Sequence, residues 1–202
     1  VEVARAEQGA AQGLGLERGD RVAIVLPNGP EMASAFICVA AGATAAPLNP
    51  AYRAEEFEFY LTDLKAKALI VSRTDDTPAR AVAKKLNVTV IELHADSNSP
   101  AGSFSLQADS SDAAPASNGG TAGSDDIVLI LHTSGTTSRP KIVPLTHRNL
   151  LSNVDALVMA RIIGAGDRVL LPLPLHHAYP FTCGLLGCLA TTELAMKTAG
   201  VP

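Results

Sequence analysis

Short apolar runs rich in β-branched residues alternate with segments of helical periodicity through the first half of the chain, and this alternation constrains the fold more than any other feature. Arg21 to Leu26 reads as a strand halted by the turn residues Pro27-Asn28-Gly29, and Glu31 to Ala41 then carries apolar residues at helical intervals before Gly42. Thr44 to Pro47 reads as a brief strand, and Ala54 to Leu64 as a helix with Phe57, Tyr60, Leu61 and Leu64 on one face. A strand over Ala68 to Val71, a helix over Pro78 to Leu86 and a strand over Val88 to Leu93 continue the series. Strands separated by helices of this length pair in parallel, because the connection between parallel neighbours must cross a sheet face, and the helices then bury both faces. The expected class is α/β, with mostly parallel doubly wound sheets and flanking helices.

From Ala95 to Ser124 the composition shifts to Ser, Ala, Gly, Asp, Asn and Pro, with Phe104 and Leu106 the only large apolar residues. Such a stretch cannot bury a core, so it is expected to be a flexible surface connection. It divides the chain into a first α/β portion at 1–94, the connection at 95–124 and a second α/β portion at 125–202. In the second portion Ile127 to Leu131 and Ile142 to Leu145 read as strands. Thr146 is placed to cap a helix from His147 to about Arg161, with Leu150, Leu151, Val154, Leu157 and Val158 as its buried stripe. Gly164 to Gly166 would end that helix, and Arg168 to Leu171 reads as one more strand. The segment Pro172-Leu173-Pro174-Leu175 then leads to His176-His177, just beyond a strand end, where open α/β sheets bind their ligands.

The bulk properties remove several classes of function. With 47% hydrophobic and 18% charged residues the chain is globular rather than disordered, and its net charge of -4 with no basic run argues against nucleic acid or an anionic membrane surface as partner. No uninterrupted apolar stretch approaches the roughly 18 residues of a membrane span. Cys38, Cys183 and Cys188 lack a C-x-x-C spacing, and His94, His132, His147, His176 and His177 lack a metal spacing, so neither a disulfide framework nor a metal site is expected. This cysteine usage fits a reducing compartment, and the expected setting is intracellular, cytoplasmic or peroxisomal. The chain starts at Val1 and ends at Val201-Pro202 just after a helix-like segment, so it is expected to be a piece of something longer.

The chemistry concentrates in Leu131-His132-Thr133-Ser134-Gly135-Thr136-Thr137-Ser138-Arg139-Pro140-Lys141. Thr133, Ser134, Thr136 and Thr137 each offer a hydroxyl, Gly135 lets successive amide N–H groups converge on an anion, and Lys141 adds a mobile positive charge suited to terminal phosphates. The loop is not a Walker motif. Gly135 and Lys141 have the right separation, but Pro140 stands in the second glycine position and Ile142 replaces the magnesium-binding hydroxyl residue. The competing reading is a Ser/Thr-rich surface turn of no function. Two apolar runs joined through nearly unbroken hydrogen-bond donors favour the phosphate grip.

T-S-G-T-T-S-R-P-K followed by I-V-P-L-T-H-R-N-L resembles the signature loop of the adenylate-forming (AMP-binding) superfamily, which includes acyl-CoA synthetases, peptide-synthetase adenylation domains and luciferases. G-D-R-V-A-I-V-L-P-N-G-P-E at Gly19 to Glu31, the block from Gly42 to Asp63, and L-P-L-P-L-H-H-A-Y-P at Leu171 to Pro180 extend the resemblance in the family's order over nearly the whole chain. Ser138, where most members carry glycine, together with A-A-P-L-N and A-E-E-F-E-F-Y-L, is most similar to oxalate–CoA ligases. The resemblance implies the incomplete N-terminal part of an adenylate-forming large domain. It also implies a two-step reaction in which a small carboxylic acid attacks ATP, with magnesium (Mg2+), to give an acyl-adenylate that is then captured by coenzyme A.

By position the resemblance assigns Thr133, Ser134, Gly135, Thr136, Thr137, Ser138 and Lys141 to the phosphates, and it brings His177 near the nucleotide and acyl pocket, with His176 in place of the usual aromatic residue. Lys141 and His177 are the expected catalytic residues. Ile142 stands where the family commonly has glycine, and a β-branched residue there would resist any φ > 0 conformation and stiffen or displace the loop. Nothing in the chain matches the family elements that hold adenine, ligate magnesium through a glutamate, bind the ribose hydroxyls through an aspartate or supply the distal lysine. The fragment alone is therefore expected to be inactive, and the alternative to an acid–thiol ligase is a truncated, non-catalytic nucleotide-binding or interaction module.

Overall fold

In the computed structural model, which describes residues 15–96, 98–109, 122–133, 139–164 and 166–198, the strand-forming runs assemble into one seven-stranded sheet of order β5-β4-β3-β1-β2-β6-β7. The strands are β1 (Arg21–Val25), β2 (Thr44–Pro47), β3 (Ala68–Ser72), β4 (Thr89–Ala95), β5 (Phe104–Ala108), β6 (Ile127–His132) and β7 (Ile142–Thr146). The helices are α1 (Pro30–Ala40), α2 (Ala54–Leu64), α3 (Pro78–Lys85), α4 (His147–Met159) and α5 (Gly187–Thr198), the last preceded by a π-helical stretch Pro180–Leu186. β1 pairs in parallel with β2 and β3, β3 with β4, and β2 with β6, whereas β5 and β7 are antiparallel borders. The carboxyl ends of β1, β2 and β6 thus share one rim of the sheet.

The chain moves from β1 to β2 on one side and then steps back across β1 to β3. Because such crossovers are right-handed, the reversal sends α1 to one face and α2 and α3 to the other. Burial follows this division. Val22, Ile24 and Leu26 join Met32, Phe36 and Val39 of α1 in one core, while Ala23 and Val25 join Phe57, Leu61 and Leu64 of α2 and Val82 of α3 in the second. Strands buried on both faces read as continuous apolar runs, which is why β1 and β3 lack polar alternation.

Local chemistry sets the helix starts. Pro30 and Pro78 occupy first-turn positions where a missing N–H costs nothing. The Thr77 hydroxyl accepts from the Ala79 amide at 3.3 Å, and Glu56 reaches back to the Arg53 amide at 2.9 Å. At α4 the Thr146 hydroxyl accepts from the Asn149 amide at 3.2 Å while Asn149 Oδ1 accepts from the Thr146 amide at 3.0 Å, a reciprocal cap as expected from Thr146.

The structure differs from the sequence reading in three places. Within the stretch expected to be a flexible connection, Phe104–Ala108 forms β5, with Leu106 opposite Leu93 and both Phe104 and Leu106 packed against the first core. Arg168 to Leu171 is not a strand, because no strand among the described residues pairs with it; Leu170 is 87% exposed. Of the stripe on α4, Leu150 and Val154 are buried, Leu157 and Val158 are half-buried, and Leu151 is exposed. No helix among the described residues is long and apolar enough to cross a membrane.

Candidate functional site

The loop that follows β6 is closed at its base by two reciprocal bonds. The Thr133 amide donates to the Lys141 carbonyl at 3.0 Å, and the Lys141 amide donates to the Thr133 hydroxyl oxygen, also at 3.0 Å. One step inward His132 stands opposite Ile142 in the β6–β7 ladder. The two ends of the loop, Thr133 and Lys141, therefore stand at the carboxyl rim of the sheet, where parallel strands leave room for ligands. Ser134, Gly135, Thr136, Thr137 and Ser138 lie outside the described residues. Thr133 serves as a clasp, its amide and one hydroxyl lone pair engaged, so the one donor it has left for a ligand is its O–H. Lys141 is exposed, and no carboxylate among the described residues pairs with its ammonium.

Ile142 meets no φ > 0 requirement here, and the loop residues 134–138 that it was expected to stiffen or displace lie outside the described residues. It lies in β7, it packs against the second core, and the non-glycine positive-φ residues among those described are Lys65, Asn87 and Arg161. The position calls for extended backbone, which β-branched side chains favour.

His132, the last residue of β6, turns toward α2. Its Nε2 lies 3.2 Å from Asp63 Oδ2, and its ring meets Tyr60 edge-on at 4.7 Å, while Tyr60 stacks on Tyr52 at 4.8 Å. Burial pulls the His132 pKa below its ordinary value, and the Asp63 hydrogen bond and charge only partly restore it. Burial, aided by the Tyr60 hydroxyl, holds the Tyr52 phenol well above its usual range, so it stays neutral.

A pH dependence follows. His176 is also depressed, by burial and then by the charge of His177. For both residues the unfolded chain takes up a proton at about pH 6.5, before the folded chain does. Stability is then constant above that pH and falls as pH drops from it through the folded values. The urea midpoint is expected to be lower at pH 5.5 than at 7.5, and the double variant His132→Gln, His176→Gln should lose most of that difference. An undiminished difference in the double variant would assign it to other groups.

The segment bearing His176 and His177 is fastened to the same rim by Asn28, from the turn after β1. Asn28 Nδ2 donates to the Leu173 carbonyl at 3.0 Å, and Asn28 Oδ1 accepts from the Leu175 amide at 2.9 Å. The His177 amide then closes a turn onto the Pro174 carbonyl at 3.1 Å, and the two imidazoles stand 4.5 Å apart. His177 is exposed and His176 half-buried. Phe181, 1% exposed, anchors the π-helical stretch edge-on to Phe36 of α1 at 4.0 Å. β1 and β6 are separated by β2, which puts their ends about 10 Å apart. Accordingly no hydrogen bond or ring contact joins His177 to Thr133 or Lys141 among the described residues; the structure gathers the loop base and the histidine pair on one rim without bringing them into contact.

A cavity of about 290 Å³ opens between α4, the 162–173 segment and the π-helical stretch, lined by residues such as Leu157, Ile162, Val169, Leu171 and Cys183. Its lining is mostly apolar and includes no lysine or arginine to hold a phosphate. Among the described residues no group of three or more His, Cys, Asp or Glu side chains converges as a metal site requires.

Comparison with known proteins places this geometry in context. A family model described as AMP-binding enzyme matches residues 4–192. An oxalate–CoA ligase of Arabidopsis thaliana is 40% identical over 203 residues, covering 98% of this chain and 39% of that protein. The long-chain-fatty-acid–CoA ligase FadD13 of Mycobacterium tuberculosis is 33% identical over 174 residues, covering 84% of this chain and 33% of that protein. Among solved structures, ATP-bound MatB from Rhodopseudomonas palustris superposes with a TM-score of 0.75 at 30% identity, over 94% of this chain and 37% of that one. The chain thus spans between 33% and 39% of the length of these proteins.

Proposed function

The chain belongs to the AMP-binding enzyme family, and from that premise we propose that the whole protein uses ATP to activate a small carboxylic acid and transfers the acyl group to coenzyme A. The observation that carries this reading is the Thr133–Lys141 clasp, which closes a hydroxyl-rich loop on the carboxyl rim of a parallel sheet and leaves the Lys141 ammonium facing solvent.

In the first step a carboxylate oxygen bonds to the α-phosphorus of ATP as the bond to the bridging oxygen breaks and pyrophosphate leaves. Negative charge accumulates on the departing group, so fixed donors and a cation aimed at it lower the barrier without moving a proton. Lys141 supplies the cation, and Ser134, Gly135, Thr136, Thr137 and Ser138 supply hydroxyls and amides around the same oxygens. Magnesium, arriving with ATP, would add further charge neutralisation, and no described residues converge to hold it on their own. In the second step the coenzyme A thiol gives up its proton to solvent as its sulfur bonds to the acyl carbon, the bond from that carbon to the AMP phosphate oxygen breaks, and AMP leaves. His177, held over the end of β1 through the Asn28 fastening, is assigned to orient the acyl end.

Oxalate is the first acid to test, since an oxalate–CoA ligase is among the chain's relatives. The experiment is acid-dependent exchange of labelled pyrophosphate into ATP by the whole protein, with oxalate and a panel of short and aromatic acids. Exchange with at least one acid is expected. ATP binding without exchange for any of them would reject the enzyme in favour of a non-catalytic nucleotide-binding module.

A further inference from the structure

We propose that Asp63 is a positioning residue for ATP, acting through His132 to fix the root of the phosphate loop; the inference rests on the function proposed above. His132 and Asp63 are 69 residues apart, on β6 and in the last turn of α2. A carboxylate only accepts, so His132 Nε2 carries the hydrogen and the bond sets both the tautomer and the rotation of the ring. The Tyr60 ring packs edge-on against the imidazole at 4.7 Å. The His132 side chain is 6% exposed and that of Asp63 39%, so the imidazole is shielded while water reaches the bond from the carboxylate side.

The strand geometry carries this restraint into the loop. His132 and Ile142 are directly opposite in the ladder and so share a face, the one that packs on α2, and Thr133 and Lys141 follow them immediately at the two loop ends. A turn of the backbone at His132 therefore moves Thr133, and through the two clasp bonds Lys141 moves with it. Both loop ends are held one residue inward, Ile142 by apolar packing and His132 by a hydrogen bond. Apolar packing limits approach but tolerates rotation, whereas a hydrogen bond weakens off its axis.

Asp63 is also in the wrong place to serve its own helix. A carboxylate in the final turn opposes the partial negative charge of the helix end, which Arg21 Nη1 already satisfies by donating to the Leu64 carbonyl at 3.0 Å. No lysine or arginine among the described residues pairs with Asp63, so its hydrogen bonding is directed to His132.

The test measures kcat and the KM values for ATP, acid and coenzyme A in the whole protein for Asp63→Ala, Asp63→Asn and His132→Phe. Asp63→Ala and His132→Phe are expected to raise the KM for ATP about tenfold, with kcat and the other two KM values within about twofold. Asp63→Asn keeps an acceptor for Nε2 and should bring the KM for ATP back to within about threefold of the starting value. An unchanged KM for ATP in Asp63→Ala overturns the proposal, and so does an equal loss toward all three substrates, which would mark a merely structural role. Absence of exchange in the unaltered protein would instead bring down the proposed function and this inference together.

Discussion

Replacing Lys141 with alanine is expected to slow acid-dependent pyrophosphate exchange about 100-fold in the whole protein, the usual consequence of deleting one group aimed at developing charge. The substitution is clean because the clasp with Thr133 uses only the main-chain N–H and C=O of Lys141, so the loop base survives while the ammonium is lost. Lys141→Arg keeps the charge but exchanges a compact ammonium for a planar fork, and it should recover part of the rate. Thioester formation from a supplied acyl-adenylate involves no pyrophosphate and should be nearly unaffected by either change. Equal damage to both half-reactions would remove Lys141 from the role assigned to it.

The largest effect on stability is expected at Phe181. Its ring is buried edge-on against Phe36 and ties the π-helical stretch to α1, so Phe181→Ala leaves a void that neighbouring rings cannot fill by small rotations. A loss of about 3–5 kcal/mol is expected from urea unfolding. The same change loosens the C-terminal anchor of the His176-His177 segment, leaving Asn28 to hold its other end. A loss below about 1 kcal/mol would show that this stretch contributes little to the first core.

The first four strands and three helices are legible in the sequence because each needs only local information: a β-branched run, a proline or threonine at a helix start, apolar residues at helical spacing. β5 was hidden because Phe104-Ser105-Leu106 is its whole alternating signal, and its partner β4 supplies the rest. The converse holds for Arg168 to Leu171, whose β-branched content suggests a strand but whose backbone finds no ladder among the described residues. The π-helical stretch had no sequence signal beyond Gly184, where a Cβ would collide with the Leu171 side chain.

The site divides in the same way. Thr133 and Lys141 are found from residue type and spacing, since a phosphate grip is built from neighbours in sequence. Asp63 and Asn28 are not, because each acts on a partner far along the chain, 69 residues away for Asp63 and 145 or more for Asn28. In the sequence one is an acid at a helix end and the other a turn residue. Only the sheet order, which brings the ends of β1, β2 and β6 to one rim, gives them their roles.

Pro144 sits midway along β7, opposite Ile130, on a border strand with no outer partner among the described residues. Its ring nitrogen has no hydrogen to offer, so a foreign strand laid along that margin would meet a gap in the row of amides at its centre. Among the described residues, β7 thus forms a border that a neighbouring molecule would extend poorly, which disfavours intermolecular stacking along it.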